Sequence, residues 1–472
     1  MNNAKIFFGS LEATKENLSE RKSPYSGDIV STAPICDEDD TNKALKIAQN
    51  ATKEAKASTL AQRCSWLLDV AQKLREQKED IAKTITDEVG KPIAFARVEV
   101  ERCIETVTLS AETMRTMHGE TINTDAMASG KKTTAFFSRE PVGVVAAITP
   151  FNFPLNLVAH KLAPALVAGN TVVLKPTPEA PMTAYKFAKL FVESEYAVKD
   201  ALSVVYGDAE VGSTLVGSDI PRVISFTGSV PVGEIITKSA GIKKVSLELG
   251  GNAATFIDKS ADLDLAANRC ALGAFVNSGQ VCISLQRIYV AADVYDEFAQ
   301  KMAEETKKLV VGSPYDDNTF MGPLIDDEAA NRAMGWVESA IEEGARSLLT
   351  PKHEGRMFYP CVMADVRDDM AIVCEEVFAP IVSLVKVDDF DDACPRMNNS
   401  PYGLQFSVFT NDLSLTKRAM DELEAGGIVI NDMPTLRFDI QPYGGVKLSG
   451  VGREGPHFAI EEMTEIKSVI IC

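Results

Sequence analysis

Residues 142–176 read VGVVAAITPFNFPLNLVAHKLAPALVAGNTVVLKP. Two apolar, β-branched runs, 142–148 and 171–174, flank a stretch at 155–167 whose apolar residues recur at helical spacing. The alternation continues, with strands expected at 202–206, 223–226 and 245–249 and helices at 182–194, 211–215 and 232–240. Near-continuous apolar strands separated by helices bury both faces, which calls for right-handed crossovers and a parallel sheet covered by helices. Upstream, 17–32 is polar and turn-rich and fits a hairpin or arm. Helices are expected from the cap Asp40-Thr41 over Ala44 to Ala55, over 60–89, and over 94–117 after the break at Gly90-Lys91-Pro92. Beyond Gly250 a second alternation follows: helices at 261–275, 294–309, 329–343 and 419–424, strands at 287–290, 357–362, 381–387 and 427–431. The tail 464–471 ends in Val-Ile-Ile, an apolar edge that invites pairing with another chain.

With 472 residues, two or three folding units are expected. The formal charge of −19 opposes binding to nucleic acid or anionic membranes and favours a small-molecule partner. Nine dispersed cysteines without a CxxC pair, and no basic, apolar leader, read as reduced thiols in a cytoplasm. Four unclustered histidines give no metal site, and the apolar runs are shorter than the roughly 20 residues that span a bilayer.

Several segments carry possible chemistry. Cys282, within FVNSGQVCISLQR at 275–287, is either a nucleophile between the apolar flanks Val281 and Ile283 or a small buried residue. Residues 226–233, FTGSVPVG, follow a strand and open a helix, so Thr227, Gly228, Ser229 and Gly233 can offer amides and a helix N-terminus to a phosphate. Lys175, at a strand's carboxyl end, is placed for a ribose hydroxyl or is a surface lysine. Glu248, in the apolar run LELGG, is a general base with a burial-raised pKa or a salt-bridged strand end. Asn152, between prolines, is an oxyanion donor or a turn residue. EEVFAP at 375–380 joins acids to a ring that can meet a sugar and a flat base, or is a loop. Arg97 and Arg102 are solvated helix residues or reach an anionic substrate.

Seven ordered segments, PFNFP (150–154), LAPALVAGNTVVLKP (162–176), FTGSVPVG, LELGG (247–251), NSGQVC (277–282), EEVFAP and PYGGVKLSGVGREG (442–455), resemble the aldehyde dehydrogenase superfamily across essentially the whole chain. The resemblance implies two parallel-sheet α/β domains, a Rossmann-like cofactor domain (1–120 and 140–249) and a catalytic domain (250–438), with a small β oligomerisation arm (121–139 and 456–472). It implies oxidation of a small aldehyde to the acid with NAD or NADP, without metal, by a homodimer or homotetramer. Cys282 would be the nucleophile, Asn152 and the Cys282 N–H the oxyanion donors, and Glu248 the base that activates water against a thioester. Lys175, Pro178, Glu179, Thr227, Gly228, Ser229, Gly233 and Leu249 would line the cofactor site, with Glu376 on the nicotinamide ribose and Phe378 on the ring.

Two departures from the family pattern stand out. Pro178 occupies the position where NAD-preferring members commonly carry a Glu, with the acid shifted to Glu179, so the sequence does not choose between cofactors. Ala379 replaces the usual Gly beside Phe378. Val281 stands where members acting on phosphorylated aldehydes often carry Arg, which argues against a phosphate pocket. The overall pattern resembles that of small-aldehyde enzymes of the lactaldehyde and succinate-semialdehyde type. His160, Val281, Ile283 and Arg437 are candidate substrate contacts. A CoA-acylating relative is the alternative, disfavoured because such members usually lack the base found here as Glu248.

Overall fold

The strand and helix alternation resolves into two large sheets in the computed structural model, which describes residues 2–472. In the first, the neighbours run Gly450–Val451, Lys244–Glu248, Val223–Thr227, Val144–Ile148, Thr171–Lys175, Leu202–Val204, Ile6–Phe8 and Leu11–Ala13. The five central strands are parallel, and the outer three pair antiparallel. The chain moves outward from Val144–Ile148 through Thr171–Lys175 to Leu202–Val204, then returns to place Val223–Thr227 on the other side of Val144–Ile148. This reversal opens a crevice at the strands' carboxyl ends, where ligands of open α/β sheets bind.

One helix over this sheet, Asn156–Val167, is buried at every position. The amino-terminal helices Glu38–Ala57, Leu60–Glu76, Lys78–Val89 and Ile93–Thr116 join the same core through Leu45, Trp66, Leu67, Ile85 and Val100. The first is capped by Asp37 rather than Asp40-Thr41: the Asp37 carboxylate accepts from Asp40 N–H and Asp40 reciprocates, a capping box. The stretch 60–89 is two helices, parted at Gln77. The polar segment 17–32 forms the expected hairpin, Leu18–Lys22 against Ile29–Pro34.

The second sheet runs Arg346–Ser347, Cys361–Ala364, Ile381–Val387, Leu285–Ala291, Ala253–Ile257, Gln405–Phe409 and Gly427–Ile430, all parallel except the first. Its two faces carry separate cores, one around Phe256, Tyr289 and Phe406, the other around Ile257, Ile288 and Phe298. Ala253–Ile257 and Gln405–Phe409, central strands here, are absent from the sequence reading.

A third, smaller sheet pairs Thr464–Ile471 with Thr134–Pro141 over eight residues, and Thr134–Pro141 with Glu120–Thr121. Ile466, Ile470 and Ile471 are exposed on it. Residues 456–462, expected in this arm, instead form a helix, Pro456–Glu462, whose Ile460 is buried in the core of the first sheet. Among the described residues no helix is long and apolar enough to cross a membrane.

Candidate active site

The carboxyl ends of the first sheet face the amino ends of the second across a cavity of about 580 Å³. From the first sheet come Pro150 to Phe153, Thr227 to Ser229 and Glu248 to Gly250; from the second, Asn277, Val281 to Ile283, Glu376 and Phe378.

Cys282 lies just before the strand Leu285–Ala291, on a turn of unusual backbone. Asn277, Ser278 and Gly279 take φ values of 52°, 56° and 71° in succession, the left-handed region that costs non-glycine residues about 1–2 kcal/mol each. Neighbours hold the turn: Ser278 Oγ donates to Gly322 C=O at 2.8 Å, and Gln280 Oε1 accepts from Ile325 N–H at 2.9 Å. A Cβ on Gly279 would overlap the Ala379 carbonyl, so this position requires glycine twice over. Val281 and Ile283 join Leu404 and Tyr443 in an apolar cluster that packs on Cys282, Phe153 and Val276. Burial pushes the Cys282 thiol up to about 12, against the opposing hydrogen bond with Tyr443, whose Oη is 3.0 Å from Sγ.

Asn152 reaches across from the first sheet. Its Nδ2 donates to Gln280 C=O at 3.1 Å, two residues before Cys282, and its Oδ1 accepts from Phe153 N–H. The turn that carries it is anchored by Glu99, which accepts from Leu155 and Asn156 N–H and pairs with buried Lys91.

Glu248 ends the strand Lys244–Glu248 with both carboxylate oxygens buried and without a hydrogen-bond partner. Burial, then the nearby Glu454 carboxylate, push its pKa well above the ordinary range. Glu454 behaves in the opposite way. Burial raises it, but Lys161 and Arg437 outweigh that and hold it near 2, with Arg437 donating at 3.0 Å and Lys161 at 3.3 Å. One of two neighbouring carboxylates is thus fixed as the anion and the other is left able to carry a proton.

The dinucleotide-like elements fall along the same crevice. Thr227, Gly228 and Ser229 lead into the helix Val230–Ser239, and Gly233 packs on Leu249. Glu376 accepts from Gly251 N–H at 2.9 Å, and burial lifts it to about 7. Phe378 has φ 48° and meets Phe151 edge to face at 6.0 Å. Lys175, Pro178 and Glu179 lie beyond the cavity: Lys175 is nearly buried, with its pKa lowered by burial, Pro178 is exposed, and Glu179 accepts from Thr177.

One expected substrate contact is corrected, and Arg97 takes the solvated of its two readings. His160 does not line the cavity; it is buried behind it, its Nε2 2.9 Å from Asp439 and 3.2 Å from an Arg437 nitrogen, and burial lowers its pKa. Arg97 faces outward to Glu79 and Asp317. Arg437 and Arg102 do line the cavity, but the first pairs with Glu454 and stacks on the Tyr443 ring at 3.7 Å, and the second grips Asp439 with two bonds of 2.7 and 2.9 Å. Tyr443, Glu454 and Lys161 have no assigned role in the sequence reading. The signal for Tyr443 was a large side chain followed by two glycines, in a quoted motif.

The model of the aldehyde dehydrogenase family matches residues 11–469. A 3-sulfolactaldehyde dehydrogenase of Priestia aryabhattai is 44% identical over 464 residues, 98% of this chain and 96% of that one. A lactaldehyde dehydrogenase of Methanococcus aeolicus is 41% identical over 456 residues, 96% of this chain and 97% of that one. Among solved structures, an NADP-dependent glyceraldehyde-3-phosphate dehydrogenase from Bacillus halodurans, complexed with NADP, superposes with a TM-score of 0.98 at 33% identity, covering 100% of this chain and 99% of that one. With matches of this length and identity, the chain belongs to the aldehyde dehydrogenase family and is an NAD(P)-dependent enzyme that oxidises small aldehydes to carboxylic acids.

Proposed function

We propose that Cys282 is the nucleophile, Asn152 the oxyanion donor and Glu248 the base of a hydrolytic oxidation of a short aldehyde. One observation carries the reading: a thiol, a carboxamide held beside it and a carboxylate with no partner of its own open on one largely apolar cavity. Sγ adds to the aldehyde carbon as the thiolate, its proton leaving the site, and Asn152 Nδ2 with the Cys282 N–H holds the alkoxide of the thiohemiacetal. The hydride on this carbon would pass to NAD or NADP, the oxidant when bound, leaving Cys282 as a thioester. Glu248 then takes a proton from the water that attacks the thioester, and the acid departs as Cys282 is freed.

The residues present fit such a cofactor. The Thr227 to Ser229 turn, at the N-terminus of a ten-residue helix whose Ser229 side chain makes no cap bond, suits a pyrophosphate. Lys175 suits a ribose, Glu376 the nicotinamide ribose, and Phe378 the ring. Glu179, tied to Thr177, and the uncharged Pro178 leave room for either NAD or NADP.

Val281 and Ile283 wall the thiol with hydrocarbon, while Arg437, Arg102 and Lys91 are matched by Glu454, Asp439 and Glu99, and Arg332 donates to Val377 C=O. This favours a small, weakly charged aldehyde of the lactaldehyde size. We further read the enzyme as a cytoplasmic homodimer or homotetramer, supported by nine free cysteines and the exposed isoleucines of Thr464–Ile471.

The test is a panel of lactaldehyde, glycolaldehyde, succinate semialdehyde and sulfonated aldehydes, run with NAD and with NADP and no CoA. The expected result is reduced cofactor and free acid in equal amounts. A strict requirement for CoA would favour the acylating alternative.

A further inference from the structure

We infer that Glu99, held by Lys91, is a positioning residue of the reaction: it sets the place and the direction of the Asn152 carboxamide relative to Cys282. The inference rests on Asn152 being the oxyanion donor.

The helix Asn156–Val167 is buried at every position, and Leu155, at its N-cap, supplies no side-chain cap. Its first amides cannot turn to water, and each left unpaired would cost about 1–3 kcal/mol. Glu99, from the helix Ile93–Thr116, meets that need from outside. One of its oxygens accepts from Leu155 N–H at 2.9 Å and Asn156 N–H at 3.2 Å, while the other pairs with Lys91, and both side chains are buried. Two turns further along, Thr106 Oγ1 donates to Asn156 Oδ1 at 3.0 Å. The helix start is therefore pinned to one face of Ile93–Thr116.

Asn152 stands just before this start, separated from Leu155 by Phe153 and Pro154. Lys91 Nζ sits over the Phe153 ring, 3.9 Å from its centre, and Phe153 N–H donates to Asn152 Oδ1 at 3.1 Å. That bond decides the direction of the carboxamide: with Oδ1 turned back to Phe153, Nδ2 points to the Cys282 turn, where it donates to Gln280 C=O. The break between helices that carries Lys91, Gly90-Lys91-Pro92, also reaches the other wall. Ile93 N–H donates to Pro314 C=O at 2.7 Å, and Gly322 packs so closely here that a Cβ on it would lie 2.4 Å from the Gly90 carbonyl. Gly322 C=O in turn accepts from Ser278 in the turn that carries Cys282. One junction thus registers both oxyanion donors, the Asn152 carboxamide and the Cys282 N–H, a geometry that must hold to within about 0.5 Å for the two to act together.

The experiment is a double-mutant cycle on kcat/KM for the aldehyde at saturating dinucleotide, with rates counted per mole of alkylatable Cys282 so that lost folded enzyme does not enter. Glu99→Leu is compared with the wild type, and Glu99→Leu/Asn152→Ala with Asn152→Ala. Acting through Asn152, the substitution should cost about 10- to 100-fold in the first pair and less than about threefold in the second. Equal losses in both pairs overturn the inference and mean that Glu99 supports the fold alone. A loss that sits in the KM for the dinucleotide overturns it as well. Should Glu99→Leu not fold, Glu99→Asp takes its place in both pairs: it keeps a carboxylate for Lys91, withdraws the acceptor by one methylene, and is decided by the same outcomes. An Asn152→Ala variant that by itself loses less than about tenfold removes the assignment of the oxyanion donor and this inference with it. Equal losses beside an Asn152→Ala effect of about 100-fold or more remove the inference alone.

Discussion

The two walls of the cleft are built on opposite principles. The first sheet presents carboxyl strand ends, where Lys175, Thr227 and Glu248 finish parallel strands beside a topological reversal, and no left-handed residue other than glycine is needed between 142 and 176. The second sheet presents amino ends, and its chemistry rides on turns entering the strands: Asn277 to Gly279 before Leu285–Ala291, and Phe378 before Ile381–Val387, all with positive φ. One wall takes its shape from regular structure. The other stores local strain and depends on its neighbours to hold it.

Four experiments test this contrast. The largest effect is expected from Cys282→Ala, on the strained wall, which should lower kcat/KM by about 10⁴-fold or more, read as cofactor reduction. Next is Glu248→Gln, on the regular wall. It should slow hydrolysis of the thioester by about 10²- to 10⁴-fold and so turn steady turnover into a burst of reduced cofactor. Its pH profile is diagnostic. Because Glu248 is raised well above the usual range, its basic form is scarce at neutral pH and grows with pH, so wild-type kcat should climb above pH 7 and the Gln variant should lose that limb. Gly279→Ala should destabilise the chain by about 2 kcal/mol or more, seen as a lower urea midpoint, since it adds a strained φ and a Cβ against Ala379 C=O. The smallest change is expected from Lys175→Met, an increase of about tenfold in KM for the dinucleotide with kcat retained. Equal loss of stability from changes on both walls would remove the contrast.

The sequence disclosed the regular wall more fully than the strained one, for physical reasons. Runs such as VVAAI and TVVLK are apolar on both faces and announce central strands. Ala253–Ile257 and Gln405–Phe409 hide because they bury polar side chains: Thr255 and Ser407 bond each other at 2.7 Å across the two strands, so the pattern lacks an apolar run. Cys282, Asn152 and Glu248 were legible as residues through the motifs around them. The raised pKa of Glu248 was legible only in part, since it depends on burial and then on Glu454 and Arg437, about 200 residues away in the chain. His160 misled because a helix buried at every position has no polar face to show which side chain turns toward a cavity. Asp37 displaced Asp40 as the cap because the two aspartates act as a reciprocal pair, which a single-residue reading does not see.

The four residues from Leu249 to Asn252 are the whole connection between the last parallel strand of one sheet and the first strand of the other. They pass directly beneath the chemistry: Gly251 lies against the Cys282 carbonyl, and its N–H binds Glu376. In mechanical terms this crossing is a short tie between the two sheets, set at the cleft. A chain this short at this place sets how far apart the two sheets can stand where Glu248 and Cys282 face the cavity.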